Sequence, residues 1–174
     1  MVTTEVAKFK LRVLKHVSNI VKDGGNIPPV MYVRTIKGKY KIMPVHPQLM
    51  EDKATRDKCR EVMQYMLKIA KADIMCFVSE AYVSAMSANK MTPEERKRAE
   101  SGNLTKEDYE KVVAARQECL FLSFEAKGLK EDSELMTFKI ENKNLLPHDL
   151  MAGADTLGDK VNEAQGNFQN LFEQ

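Results

Sequence analysis

Two extended runs joined by a short glycine turn constrain this chain more than any other feature. Residues 30–36 and 40–45 are rich in β-branched and aromatic side chains, and Lys37-Gly38-Lys39 separates them. A glycine turn of that length folds neighbouring strands back on each other, so the pair predicts a β-hairpin and hence an antiparallel sheet. Pro28 and Pro29 impose extended backbone just before it. Pro44 and Pro47 put the second strand at an edge or at its end, because proline offers no N–H to a ladder.

A hairpin needs cover for its apolar face, and helical periodicity flanks it on both sides. Val6, Phe9, Val13, Val17, Ile20 and Val21 recur at steps of three and four over residues 2–22. Thr3 or Thr4 can cap that helix, and Gly24-Gly25 stops it. Residues 50–72 form a second helix whose expected buried stripe is Cys59, Val62, Met63, Met66, Ile69 and Ala70. Its acidic residues come early and its lysines late, in keeping with the helix dipole. The apolar run 74–86 reads as a buried strand through at least residue 83, with a helix as the alternative, since Ala81, Ala85 and Met86 would tolerate one. Residues 117–126 predict a strand buried on both faces, and 135–140 a strand with Met136, Phe138 and Ile140 on one face. The order α-β-β-α-β-arm-β-β predicts an α+β domain: an antiparallel sheet of about five strands, with amphipathic helices packed on one face.

Two segments stand outside that core. Residues 87–115 are polar. Thr92-Pro93-Glu94-Glu95 opens one short helix, and Thr105 with Asp108 opens another. The first has almost no apolar stripe, so it reads as a solvated arm, a lid or a partner-binding surface. In the tail, residues 147–174, Leu157, Val161, Ala164, Phe168 and Leu171 fall at steps of 4, 3, 4 and 3. That is the seam spacing of a helix lying along another helix. Gly158 and Gly166 each weaken such a helix by roughly 1 kcal/mol, so it needs a surface to dock on. Residues 1–146 are therefore expected to form the domain, and 147–174 a docking or oligomerisation segment.

Charge and cysteine usage narrow the function classes. With 27 basic and 25 acidic residues the net charge is +2, without the basic excess typical of nucleic-acid binders. Arg34, Lys37, Lys39 and Lys41 on the hairpin, with Tyr32 and Tyr40 beside them, have the right chemistry for a strand of nucleic acid. Lysines at a sheet edge also block edge-to-edge pairing, and that reading is preferred. Glu94, Glu95 and Glu100 dilute the cluster Arg96-Lys97-Arg98. Residues 1–25 are basic and the tail is acidic, so the two ends have complementary charge. Cys59, Cys76 and Cys119 are widely spaced in apolar settings, which predicts buried reduced thiols and no zinc site. His16, His46 and His148 lack metal-ligand spacing, and Gly24-Gly25 lacks the GK[ST] of a phosphate loop. Ser79 and Ser123 lack a nucleophile elbow. No cofactor or metal is expected. Without an apolar run long enough for export or for a membrane span, the expected location is the cytoplasm.

Two carboxylates draw attention. Glu80 interrupts the apolar run 74–86, where a carboxylate must be hydrogen-bonded, paired or shifted toward neutrality. Glu125-Ala126-Lys127 follows the apolar run Leu120 to Phe124. This triplet resembles the (D/E)xK half-motif of the restriction-endonuclease-like nucleases, in which two acids hold magnesium and a lysine orients the attacking water. The resemblance implies Glu80 as first acid, Glu125 as second and Lys127 as the lysine. It covers only these residues, and the Pro-Asp that often carries the first acid is missing. The tail stripe, the complementary ends and the lack of a catalytic constellation favour a non-enzymatic protein that binds a protein partner or itself. Small accessory proteins of phages or mobile elements have this style. A metal-dependent hydrolase or nuclease built on Glu80, Glu125 and Lys127 is the alternative.

Overall fold

Side chains alternate across a strand, so a strand apolar at every position needs cover on both faces. Strand β3 (Ala72–Ser84) is of this kind. Ile74, Cys76 and Val78 are buried on one face, and Met75 and Phe77 on the other. The computed structural model describes residues 4–50, 53–84, 92–114, 116–129, 133–147 and 171–172. Around β3 it assembles β1 (Val30–Thr35), β2 (Tyr40–Pro44), β4 (Arg116–Ala126), β5 (Glu134–Glu141) and β6 (Asn144–Pro147). All neighbours pair antiparallel in the order β2-β1-β3-β4-β5-β6.

Helix α1 (Thr4–Lys22) covers one face. Its Val6, Phe9, Val13, Val17 and Val21 are buried in one cluster with Val30, Tyr32, Cys76, Leu122 and Phe124. Helix α2 (Lys53–Ala70) covers the other, with Cys59, Met63 and Leu67 buried against Met31, Val33, Met75 and Phe77. A short 3-10 turn, Pro47–Met50, precedes α2. Lys71 ends the helix with a left-handed backbone at φ 52°, and β3 begins at once. Among the described residues no helix is long and apolar enough to cross a membrane.

The α+β class and the antiparallel sheet are as expected from the sequence. The structure refines that expectation in two features. The helices lie on both faces of the sheet, because β1 and β3 are apolar on both sides and one layer of helix would leave Met31, Met75 and Phe77 wet. The sheet also has a sixth strand. Its turn holds Asn142 and Lys143 at φ 48° and 61°, the positive values a tight hairpin demands. Glycine usually marks such a turn, and here a lysine occupies it.

Between β3 and β4 the chain makes the polar excursion. Ser84 pairs with Arg116, so the arm leaves and returns at one end of a long hairpin. It contains α3 (Pro93–Glu100) and α4 (Lys106–Ala114). Thr92 and Glu95 exchange capping hydrogen bonds, as do Thr105 and Asp108. Arg98 donates two bonds to Asp108, at 2.7 and 2.8 Å, and Lys111 donates to Glu95 at 2.9 Å. These polar ties hold the two helices together.

Candidate functional site

The strand register decides whether the two carboxylates meet. Glu125 pairs with Met75, five positions along β3 from Glu80, which pairs with Leu120. Five residues span roughly 17 Å of antiparallel strand. The two side chains also point to opposite faces: Glu80 shares the even-numbered side with Val78, and Glu125 the side with Met75. Oxygens that share a divalent ion lie about 2.1–2.5 Å from it, so Glu80 and Glu125 cannot form one metal site.

Each carboxylate has a local partner instead. Glu80 accepts a hydrogen bond from the backbone N–H of Ile27 at 2.6 Å. Burial pushes its pKa up, the Ile27 bond opposes that, and the nearby Glu118 adds to the rise. Glu125 is buried, and its Oε2 accepts the backbone N–H of Leu171 at 2.8 Å. Lys127 sits exposed in the following turn, where its N–H donates to the Asp73 carbonyl. Among the described residues no three His, Cys, Asp or Glu side chains cluster as metal ligands. All three cysteines are buried and unbridged, and burial raises each thiol, Cys76 furthest.

Of the tail stripe, Leu157, Val161, Ala164 and Phe168 lie outside the described residues. Leu171 is buried beside Cys59, Met63 and Leu67, with Phe172 packed against the same cluster. The end of the tail is thus rooted beneath α2 in its own domain, on the face opposite the basic helix α1.

The surface least explained by the fold is the outer side of α2. Val62, Tyr65, Met66 and Ile69 are 52%, 63%, 36% and 64% exposed. Their spacing, i, i+3, i+4 and i+7, makes one continuous stripe. The sequence places Val62, Met66 and Ile69 in the buried stripe, and the structure moves them out. Cys59, Met63 and Leu67 form the line that meets the sheet, and the four exposed residues lie about a quarter-turn round the helix. From Leu67 round to Tyr65 the apolar arc spans roughly 200°, about twice what a helix needs to cover one surface. That excess width was the signal in the sequence. Glu61 and Lys68, two turns apart, border the outer side of the stripe, and neither forms an ion pair among the described residues.

Basic residues named from the sequence divide into engaged and open. Arg34 is held by Asp73 and by Glu5, and Arg98 by Asp108. Compared with protein-family models, curated proteins and solved structures, the chain matches none of them.

Proposed function

We propose that this chain is a non-enzymatic interaction protein that associates with a second copy of itself through α2. The exposed stripe Val62-Tyr65-Met66-Ile69 carries the reading. A helix with two apolar sides buries one on its own core and offers the other to a partner.

Charge argues for a second copy as the occupant. In an antiparallel pairing about a two-fold axis near Tyr65, Glu61 of each copy comes opposite Lys68 of the other. An antiparallel pairing brings the same flank of both copies to one edge and matches these charges; a parallel pairing puts the flanks on opposite edges and leaves them unmatched. Stable interfaces bury roughly 1,200–2,000 Å² in total, more than two helical turns provide. The tail stripe of Leu157, Val161, Ala164 and Phe168 has the same seam spacing and ends at Leu171, beside α2. It is the natural extension of the contact.

Light scattering on the full chain tests this. Wild type is expected to run as a dimer at about 100 µM and Tyr65→Glu as a folded monomer, since Tyr65 supports no core packing. A wild type that stays monomeric at that concentration rejects the proposal.

A further inference from the structure

Beyond self-association, we propose that the cleft between α1 and β2 binds a nucleotide unit, that is, a phosphate carrying a planar, partly apolar body. This cleft lies on the face opposite α2 and has a volume of about 400 Å³, within the range of small-molecule sites. Two cations from α1 line it, Arg12 and Lys15, and no carboxylate does. Lys41 pairs with Val33, so its side chain leaves β2 toward the opposite face. Neither Arg12 nor Lys15 makes an ion pair among the described residues. Protection of a sheet edge does not explain them, since both are on a helix.

Arg12 is set for anion binding in advance of any ligand. Its guanidinium lies over the Tyr40 ring at 4.1 Å, and Tyr40 is stacked on the buried Phe9 at 6.0 Å and 11°. A guanidinium stacked by its flat face keeps its in-plane N–H donors for a phosphate fork. His16 shares a 3.0 Å hydrogen bond through Nδ1 with the Tyr32 hydroxyl, which fixes its ring and leaves Nε2 for a ligand. The cleft is also apolar: Ile42 is 55% exposed within it, above Val13 and Tyr32. Inorganic phosphate alone has no use for that apolar lining, and a purely apolar ligand would leave two cations unmatched. A base attached to a phosphate matches both.

The source of the unit is either a free nucleotide or a single strand, and the test separates them. Calorimetry with adenosine 5′-monophosphate and anisotropy with a labelled twelve-nucleotide oligothymidine are run on the full chain. Binding to at least one is expected, with adenosine and inorganic phosphate each at least about tenfold weaker. Arg12→Gln and Lys15→Gln each weaken it about tenfold, the weight of one charge-assisted bond. Lys97→Gln, on α3, changes nothing. A free nucleotide is the ligand if the monophosphate binds as tightly as the oligomer. A strand is the ligand if the oligomer binds tighter and its affinity falls with salt at a log–log slope near −1.4, about 0.7 per neutralised phosphate. All substituted side chains are exposed, so melting curves match wild type. The proposal is overturned if both probes bind more weakly than about 1 mM, or if the two cleft variants bind as wild type does.

Discussion

The backbone N–H of Leu171 donates to the buried Oε2 of Glu125 at 2.8 Å, across 46 positions of sequence. This bond ties the end of the chain to the sheet, and the Leu171 side chain closes the cluster beneath α2. Leu171→Ala is expected to lower stability by about 2–5 kcal/mol, the range for a buried leucine. Glu125→Ala strands the buried Leu171 N–H and costs about 1–3 kcal/mol. Urea unfolding reads both as a lower midpoint at unchanged slope. A midpoint equal to wild type for both variants means that the tail is not anchored there.

Glu80 gives a pH signature of opposite sign to most carboxylates. Its folded pKa is raised above the ordinary 4.5, chiefly by burial. The contribution of this group to stability is complete below 4.5 and is lost as pH rises through the folded value. Glu80→Gln keeps an oxygen for the Ile27 N–H and removes the charge, so it should melt at or above wild type at pH 7 and converge with it near pH 4. Differential scanning across that range checks the sign; a variant clearly less stable at pH 7 than at pH 4, relative to wild type, contradicts it.

Asp108 works the other way in the arm. The two bonds from Arg98, with the Thr105 N–H, hold its carboxyl well below the usual 3.8. Its contribution is present above that ordinary value and is lost as pH falls through the lower folded one. Amides of α3 and α4 are expected to exchange faster in Asp108→Asn and Arg98→Ala at neutral pH, while those of β3 and β4 keep wild-type protection. Equal protection in the arm would show that the ties between its helices hold nothing.

Charge reversal probes the geometry of the proposed pairing. Glu61→Lys and Lys68→Glu should each weaken association severalfold, since each surface pair contributes up to about 1 kcal/mol and a two-fold dimer has two. The double variant restores the complementarity and should recover most of the affinity. Sedimentation equilibrium measures all four proteins, and a double variant weaker than either single one excludes the antiparallel arrangement.

Features written in short-range spacing are legible in the amino-acid sequence. The Lys37-Gly38-Lys39 turn, the Thr92–Glu95 and Thr105–Asp108 caps and the buried line of α1 each depend on residues within about a turn of one another. Strand β6 is not legible there, because Asn142-Lys143 adopts a glycine-like turn without glycine. The candidate site is legible only in part. That α2 is widely apolar can be read from its residues. Which part of its circumference meets the sheet cannot.

Local chemistry, then, belongs to the sequence: where helices start, where hairpins turn, which strands are apolar on both sides. Tertiary structure decided everything that depends on register and on the choice of face. It put Glu80 and Glu125 on opposite sides of β3 and β4, turned Val62, Tyr65, Met66 and Ile69 outward, and brought Arg12 over Tyr40. The physical reason is the same in each case. A strand's alternation and a helix's periodicity state which residues share a side, but only packing against the rest of the chain chooses which side is buried.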